Sequence, residues 1–124
     1  VGAWQHRHTD KGVHDMGARI NLVFNDGTDN AVALYSHYGA DGWEYDLTQA
    51  INHAKPRLGD YSYWTRMVIS YLIKDEVMDE TGFGIYAVNP AKHDLYDAVV
   101  VIDLVNNLVD GIEFDTFCKQ SVGV

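Results

Sequence analysis

The chain has little with which to cross-link or anchor itself. It holds a single cysteine, Cys118, so no internal disulfide can form and nothing requires an oxidising compartment. No apolar run approaches the length of a membrane span, and no positive-then-apolar signal segment opens the sequence. A soluble, cytoplasmic protein is expected. Basic residues are few: nine Lys and Arg stand against 18 Asp and Glu, for a net charge of −9. The nine are scattered, whereas contact with a phosphate backbone needs them clustered, so direct nucleic-acid binding is not expected. Acidity serves solubility and also steers a protein toward a basic partner. Two prolines and an apolar fraction of 47% argue against disorder. At 124 residues the chain is long enough for one domain with a real core.

What is present is hydrophobic periodicity, strongest between Tyr63 and Lys74. Trp64, Met67, Val68, Tyr71 and Leu72 recur at helical spacing, and Ile69 with Ile73 adds a second apolar strip. Only Arg66, Ser70 and Lys74 remain for water. A helix apolar around most of its circumference must be covered on more than one side. Asp60 stands where its N-cap should be.

Around this helix the chain reads in order. Val1 to Asp15 is polar and aperiodic, a flexible leader, with Met16 a natural start. Residues 16–118 form the domain, and 119–124 a polar tail. Arg19 to Asn25 alternates as a strand, with Ile20, Leu22 and Phe24 on one face. Asp26-Gly27 opens a turn, and Ala31 to Ser36 completes a hairpin. Asp41, with Glu44 three residues on, is placed to cap a helix whose buried stripe is Leu47, Ala50, Ile51 and Ala54. Pro56 ends it. An acidic stretch from Asp75 to Glu80 follows the long helix. Phe83 to Val88 is a third strand, and Ala98 to Leu104, nearly continuous and β-branched, is typical of a central one. Leu108 to Phe114 reads as a last strand with a possible bulge at Gly111.

The fold class expected is α+β, two-layer. A mainly antiparallel five-stranded sheet, order ββααβββ, is built from a hairpin and a three-strand meander, with two helices packed on one face. The other face should show part of Val23, Ala33, Tyr35, Tyr86, Val88, Val100 and Ile102, too apolar to be solvated. A homodimer is therefore expected, burying either that surface or the extra helix stripe.

From Met16 onward several strings carry a likeness. They are Gly17-Ala18-Arg19-Ile20, Leu34-Tyr35-Ser36-His37-Tyr38-Gly39, Ala54-Lys55-Pro56-Arg57, Met67-Val68-Ile69-Ser70-Tyr71-Leu72 and Thr81-Gly82-Phe83-Gly84-Ile85-Tyr86. Through them the chain resembles uncharacterised small proteins of phages and mobile elements such as integron gene cassettes. The resemblance implies a small cytoplasmic protein with an accessory role in a mobile element, and brings no assigned activity or catalytic residue.

No motif identifies a reaction. The most suggestive patch is Tyr35, His37, Tyr38, Asp41 and Trp43, where a strand enters a helix N-terminus whose free N–H groups favour anions. Tyr63 and Trp64, at the second helix start, join it as candidates for a ligand or interaction surface. Ser36 and His37 are neighbours and face opposite ways, which weakens a Ser–His nucleophile. Asp41 or Asp46 would be the orienting acid of a triad. The plainer reading makes the tyrosines packing groups and Asp41 a cap. No metal site is expected: His6, His8, Asp10, His14 and Asp15 lie in the leader, and Asp75, Glu76, Asp79 and Glu80 lack the order of a calcium loop. Gly82-Phe83-Gly84 precedes a strand, unlike phosphate-cradling loops, and no cofactor is expected. Cys118 reads as an inert thiol and Asp103 as an edge or turn-facing carboxylate.

These observations favour a non-enzymatic binding protein acting as a homodimer on a protein or small ligand. One alternative is a small hydrolase using His37 with Asp41. Another is an acidic nucleic-acid mimic inhibiting a host factor.

Overall fold

The structure, a computed structural model, describes residues 18–91 and 97–122. The leader, with its histidines, lies outside them. Among the described residues, β1 (Ile20–Asn25) and β2 (Ala31–Ser36) are followed by α1 (Trp43–Ala54) and α2 (Tyr61–Ile73). Then come β3 (Phe83–Val88), β4 (Ala98–Asp103), β5 (Leu108–Val109), β6 (Ile112–Glu113) and α3 (Phe114–Val122). The class is α+β, with one six-stranded sheet in the order β3-β2-β1-β4-β5-β6.

The hairpin forms as its sequence dictates. Asn25 Oδ1 accepts from Gly27 N at 2.9 Å, and Asp26 Oδ1 accepts from the Thr28 hydroxyl at 2.7 Å. Gly27 has φ 89°, and a Cβ there would stand 3.1 Å from Val105 Cγ2. Both handedness and space demand glycine. Leu22 pairs with Leu34, which turns Ile20, Leu22, Phe24 and Leu34 together into the main core.

The meander is corrected. β4 does not pair with β3; it lies parallel to β1, with Leu22 beside Val100 and Phe24 beside Ile102. β3 pairs instead with β2, antiparallel. The sheet is thus mixed, and its centre is a parallel pair. In that central position Val100 and Ile102 are buried against the helix layer, while Val99 and Val101 on the reverse face are half-buried. The register also corrects the expected reverse face: Val100 and Ile102 point into the helix layer. The opposite face carries Val23, Ala31 and Ala33, already buried within one chain, with Tyr86, Val88 and Val99 against them.

The last strand is corrected too. Asp110 (φ 48°) and Gly111 (φ 85°) make a two-residue turn between β5 and β6, the left-handed pair that a tight hairpin selects. Phe114 then begins α3, a helix unforeseen from the sequence, which places Phe114 and Phe117 in the core. α3 continues to Val122, into the stretch read as a tail.

α2 behaves as its pattern requires. Asp60 is its N-cap, accepting from Tyr63 N at 3.5 Å, and Trp64, Val68, Ile69 and Leu72 are buried. α1 buries Leu47, Ala50, Ile51 and Ala54 as expected, and Asp46 and Thr48 besides. Its cap is corrected: Gly42, in the left-handed region, occupies the N-cap, and no side chain closes the first turn. Asp41 is exposed one residue too early. After α1, Pro56 sits in a short 3-10 turn, Lys55–Arg57.

Trp64 joins the layers. Its ring stacks on Phe114 with centroids 5.3 Å apart and planes 2° apart, and meets Phe24 edge-on at 6.4 Å. Trp64→Ala is expected to cost about 3–5 kcal/mol of folding stability. Tyr63→Ala, one residue away and exposed, should fall within about 0.5 kcal/mol of the native chain. Urea unfolding at one fixed protein concentration checks both.

Asp103 closes the turn after β4 as a turn-facing carboxylate. Its Oδ1 accepts from Val105 N and Asn106 N, and its Oδ2 from Asn106 Nδ2, each at 3.0 Å. The Asn106 side chain first, then these two backbone groups, hold its pKa below the usual carboxylate range, against the opposing effect of desolvation. A depressed folded pKa stabilises above the unfolded value of about 3.9 and loses that contribution as pH falls through the folded value. Asp103→Asn should lower the urea midpoint at neutral pH and flatten its fall between about pH 5 and pH 2.

Candidate functional site

The residues proposed from the sequence separate into three places. Trp64 is core. Tyr63 is exposed beneath the Arg57 guanidinium, which lies 4.9 Å from its ring centroid. Trp43 lines a groove of about 460 Å³ between the start of α1, the β5–β6 hairpin and α3, stacked on Phe117 at 5.6 Å. Asp110 in that groove is tied to β4, its Oδ1 accepting from Val101 N at 2.8 Å.

Tyr35, His37 and Tyr38 do come together, at the end of β2. They line a cavity of about 500 Å³ with Thr81, Gly82 and Phe83. Strand alternation puts Tyr35 and His37 on one side, and the Tyr38 ring meets the imidazole edge-on at 4.5 Å. The Tyr35 hydroxyl lies 2.8 Å from His37 Nδ1, and Arg19 Nε donates to the same nitrogen at 3.4 Å. A guanidinium N–H cannot accept, so Nδ1 is an acceptor and the imidazole proton resides on Nε2. Burial raises the Tyr35 pKa, and Asp97 adds to the rise while Arg19 opposes it; the phenol stays protonated and donates.

Arg19 was missed as a site residue, although its phase in β1 was legible: the hairpin register brings it to the side of Tyr35. The bond from the Tyr86 hydroxyl to Asn21 Oδ1, 2.8 Å across the same face, joins residues 65 apart and had no local signal. The corner is thus rich in donors. Its one basic nitrogen is occupied by Tyr35 and Arg19, so it suits holding an anionic or carbonyl group better than removing a proton. Asp46 is buried on α1, and Asp41 is exposed at the turn before it.

A third surface was only half expected. Ile69 and Ile73, the second stripe of α2, line a groove of about 550 Å³ with Val32 and Ile85 of the sheet. Ile69 is buried and Ile73 half-buried, whereas Ile85 is 59% exposed and Val32 40%. Asp26 and Arg66 are the charged residues along it. The Thr28 hydroxyl, then the Thr28 backbone N–H, hold the Asp26 pKa low, so it is a fixed charge at neutral pH.

Among the described residues no group of three or more His, Cys, Asp and Glu side chains could hold a metal ion. No described helix is long and apolar enough to cross a membrane. Cys118 is half-buried, and burial raises its thiol pKa. The chain matches no family model, no curated protein and no solved structure.

The hydrogen-bond pattern makes one direct demand. Nitrogen-15 shifts of His37 should report the Nε2–H tautomer in the native chain, and Tyr35→Phe should perturb the Nδ1 signal. An Nδ1–H tautomer would contradict the assignment.

Proposed function

We propose that this chain is a non-catalytic interaction protein that works as a homodimer, in an accessory role of the kind its resemblance to mobile-element proteins suggests. The observation carrying this reading is the groove along α2. It is open and apolar, holds no histidine or cysteine, and has Asp26 fixed in its charged form. A surface of that kind gains free energy when another apolar surface covers it. The His37 corner adds to the same conclusion, since its basic nitrogen is already engaged.

A small hydrolase is the second reading, favoured by the cavity beside His37. It requires Tyr35 and Arg19 to release Nδ1, and a nucleophile or water to take their place.

Light scattering at micromolar concentration separates the oligomeric alternatives. The expected mass is twice that of the 13.9 kDa chain. A mass of one chain across that range would end the homodimer reading.

A further inference from the structure

We propose that the groove between the start of α1, the β5–β6 hairpin and α3 binds a small organic cation, one that joins a positively charged nitrogen to an apolar body. This groove shares no lining residue with the one along α2, so the proposal stands apart from the homodimer reading.

Three elements distant in sequence build its apolar wall. Trp43 and Tyr45 come from α1, Val109 and Ile112 from the hairpin, and Phe117 from α3. Val109 and Phe117 belong to the core and form the deep part, while Tyr45 and Ile112 are exposed at the rim. Trp43 is held by its stack on Phe117, with planes 21° apart. The volume of about 460 Å³ is that of a site for a small molecule. Aromatic rings carry negative charge on their faces and attract a cation placed over them, Trp most strongly.

The charged groups give the sign of the ligand. Glu44 and Asp110 line the groove, and among the described residues no Lys, Arg or His lines it with them. Neither carboxylate has an ion-pair partner among the described residues. Asp110 is fixed in place by β4: its N–H donates to Val101 O and its Oδ1 accepts from Val101 N, each at 2.8 Å. Those bonds leave Oδ2 for a ligand.

One feature of the groove favours the opposite charge. Gly42 leaves the first turn of α1 without a side-chain cap, and a helix N-terminus acts as about half a positive charge. Glu44 stands in that same turn and offsets it, so Asp110 leaves the groove negative. The chain's net charge of −9 draws cations from further away. An anion would meet two carboxylates, and a neutral apolar molecule would leave both unused. A cation with an apolar body matches the rings and the carboxylates together.

Benzyltrimethylammonium is the probe, with benzyl alcohol and phenylacetate as neutral and anionic controls. At low ionic strength it should shift the Trp43 indole N–H resonance saturably, with a dissociation constant on the order of 1 mM. That resonance is assigned by its loss in Trp43→Phe. Both controls should bind at least about tenfold more weakly, and added salt should weaken the cation alone. The double variant Glu44→Gln with Asp110→Asn keeps an oxygen to accept from Val101 N and should bind the probe about tenfold more weakly. Tyr45→Leu, which changes an exposed ring, should weaken it about threefold. If circular dichroism shows the double variant misfolded, Glu44→Gln alone carries the charge test. Benzyl alcohol or phenylacetate binding as tightly as the cation, or no saturable shift with the cation, overturns the proposal. Light scattering reads the homodimer separately, so either reading can fail without the other.

Discussion

The fold depends on the stack of Trp64 against Phe114. α2 reaches the sheet through this ring, and α3 is fastened to the rest of the molecule at its first residue by the same contact. Phe24 meets the indole edge-on from β1, so one side chain touches three elements that are far apart in sequence. The arrangement also carries a cost. The indole N–H is buried with no hydrogen-bond acceptor among the described residues, an unmet donor worth roughly 1–3 kcal/mol. Burial of the ring and its two aromatic contacts must exceed that cost for the layers to close.

The parallel β1–β4 pair is the second constraint, and it decides where the sheet ends. Because β4 enters beside β1, β3 is left at the far side of β2. The two edges are then unequal. β6 is two residues long and leads directly into α3, so it offers little to a passing strand. β3 keeps a full six residues with Ile85 outward. The homodimer is expected to bury either the reverse face or the second stripe of α2, and on the reverse face Val23, Ala31 and Ala33 are already buried. Exposed apolar side chains include Ile85 of β3 and Val32 of β2, beside the second stripe of α2.

What the sequence made legible was local. The α2 face, the α1 stripe, the Asp60 cap and the first hairpin all follow from spacing within a dozen residues. The strand order did not, because β4 could pair with β3 or with β1 and only long-range packing chooses. Its apolar run from Ala98 to Ile102 fits a parallel neighbour, but a central antiparallel strand shows the same pattern. Asp110-Gly111 was likewise a hairpin signal in plain view, passed over for a bulge. α3 hid because Phe114, Phe117 and Cys118 are too few to show a period. Asp41 drew attention as a cap, yet Gly42 reaches the left-handed conformation at less cost and took the position.

The candidate site shows the same division. Tyr35, His37 and Tyr38 are adjacent in the chain and remain adjacent in space, so their grouping was visible. Its chemical character was not, because that is set by Arg19 from the neighbouring strand. A histidine beside a carboxylate and an open cavity would be poised to take a proton. Here two donors converge on Nδ1. The Nδ1 side of the imidazole is thereby engaged by its own neighbours. The groove along α2 differs in medium: it is lined mainly by apolar side chains, with Asp26 and Arg66 as its charged residues.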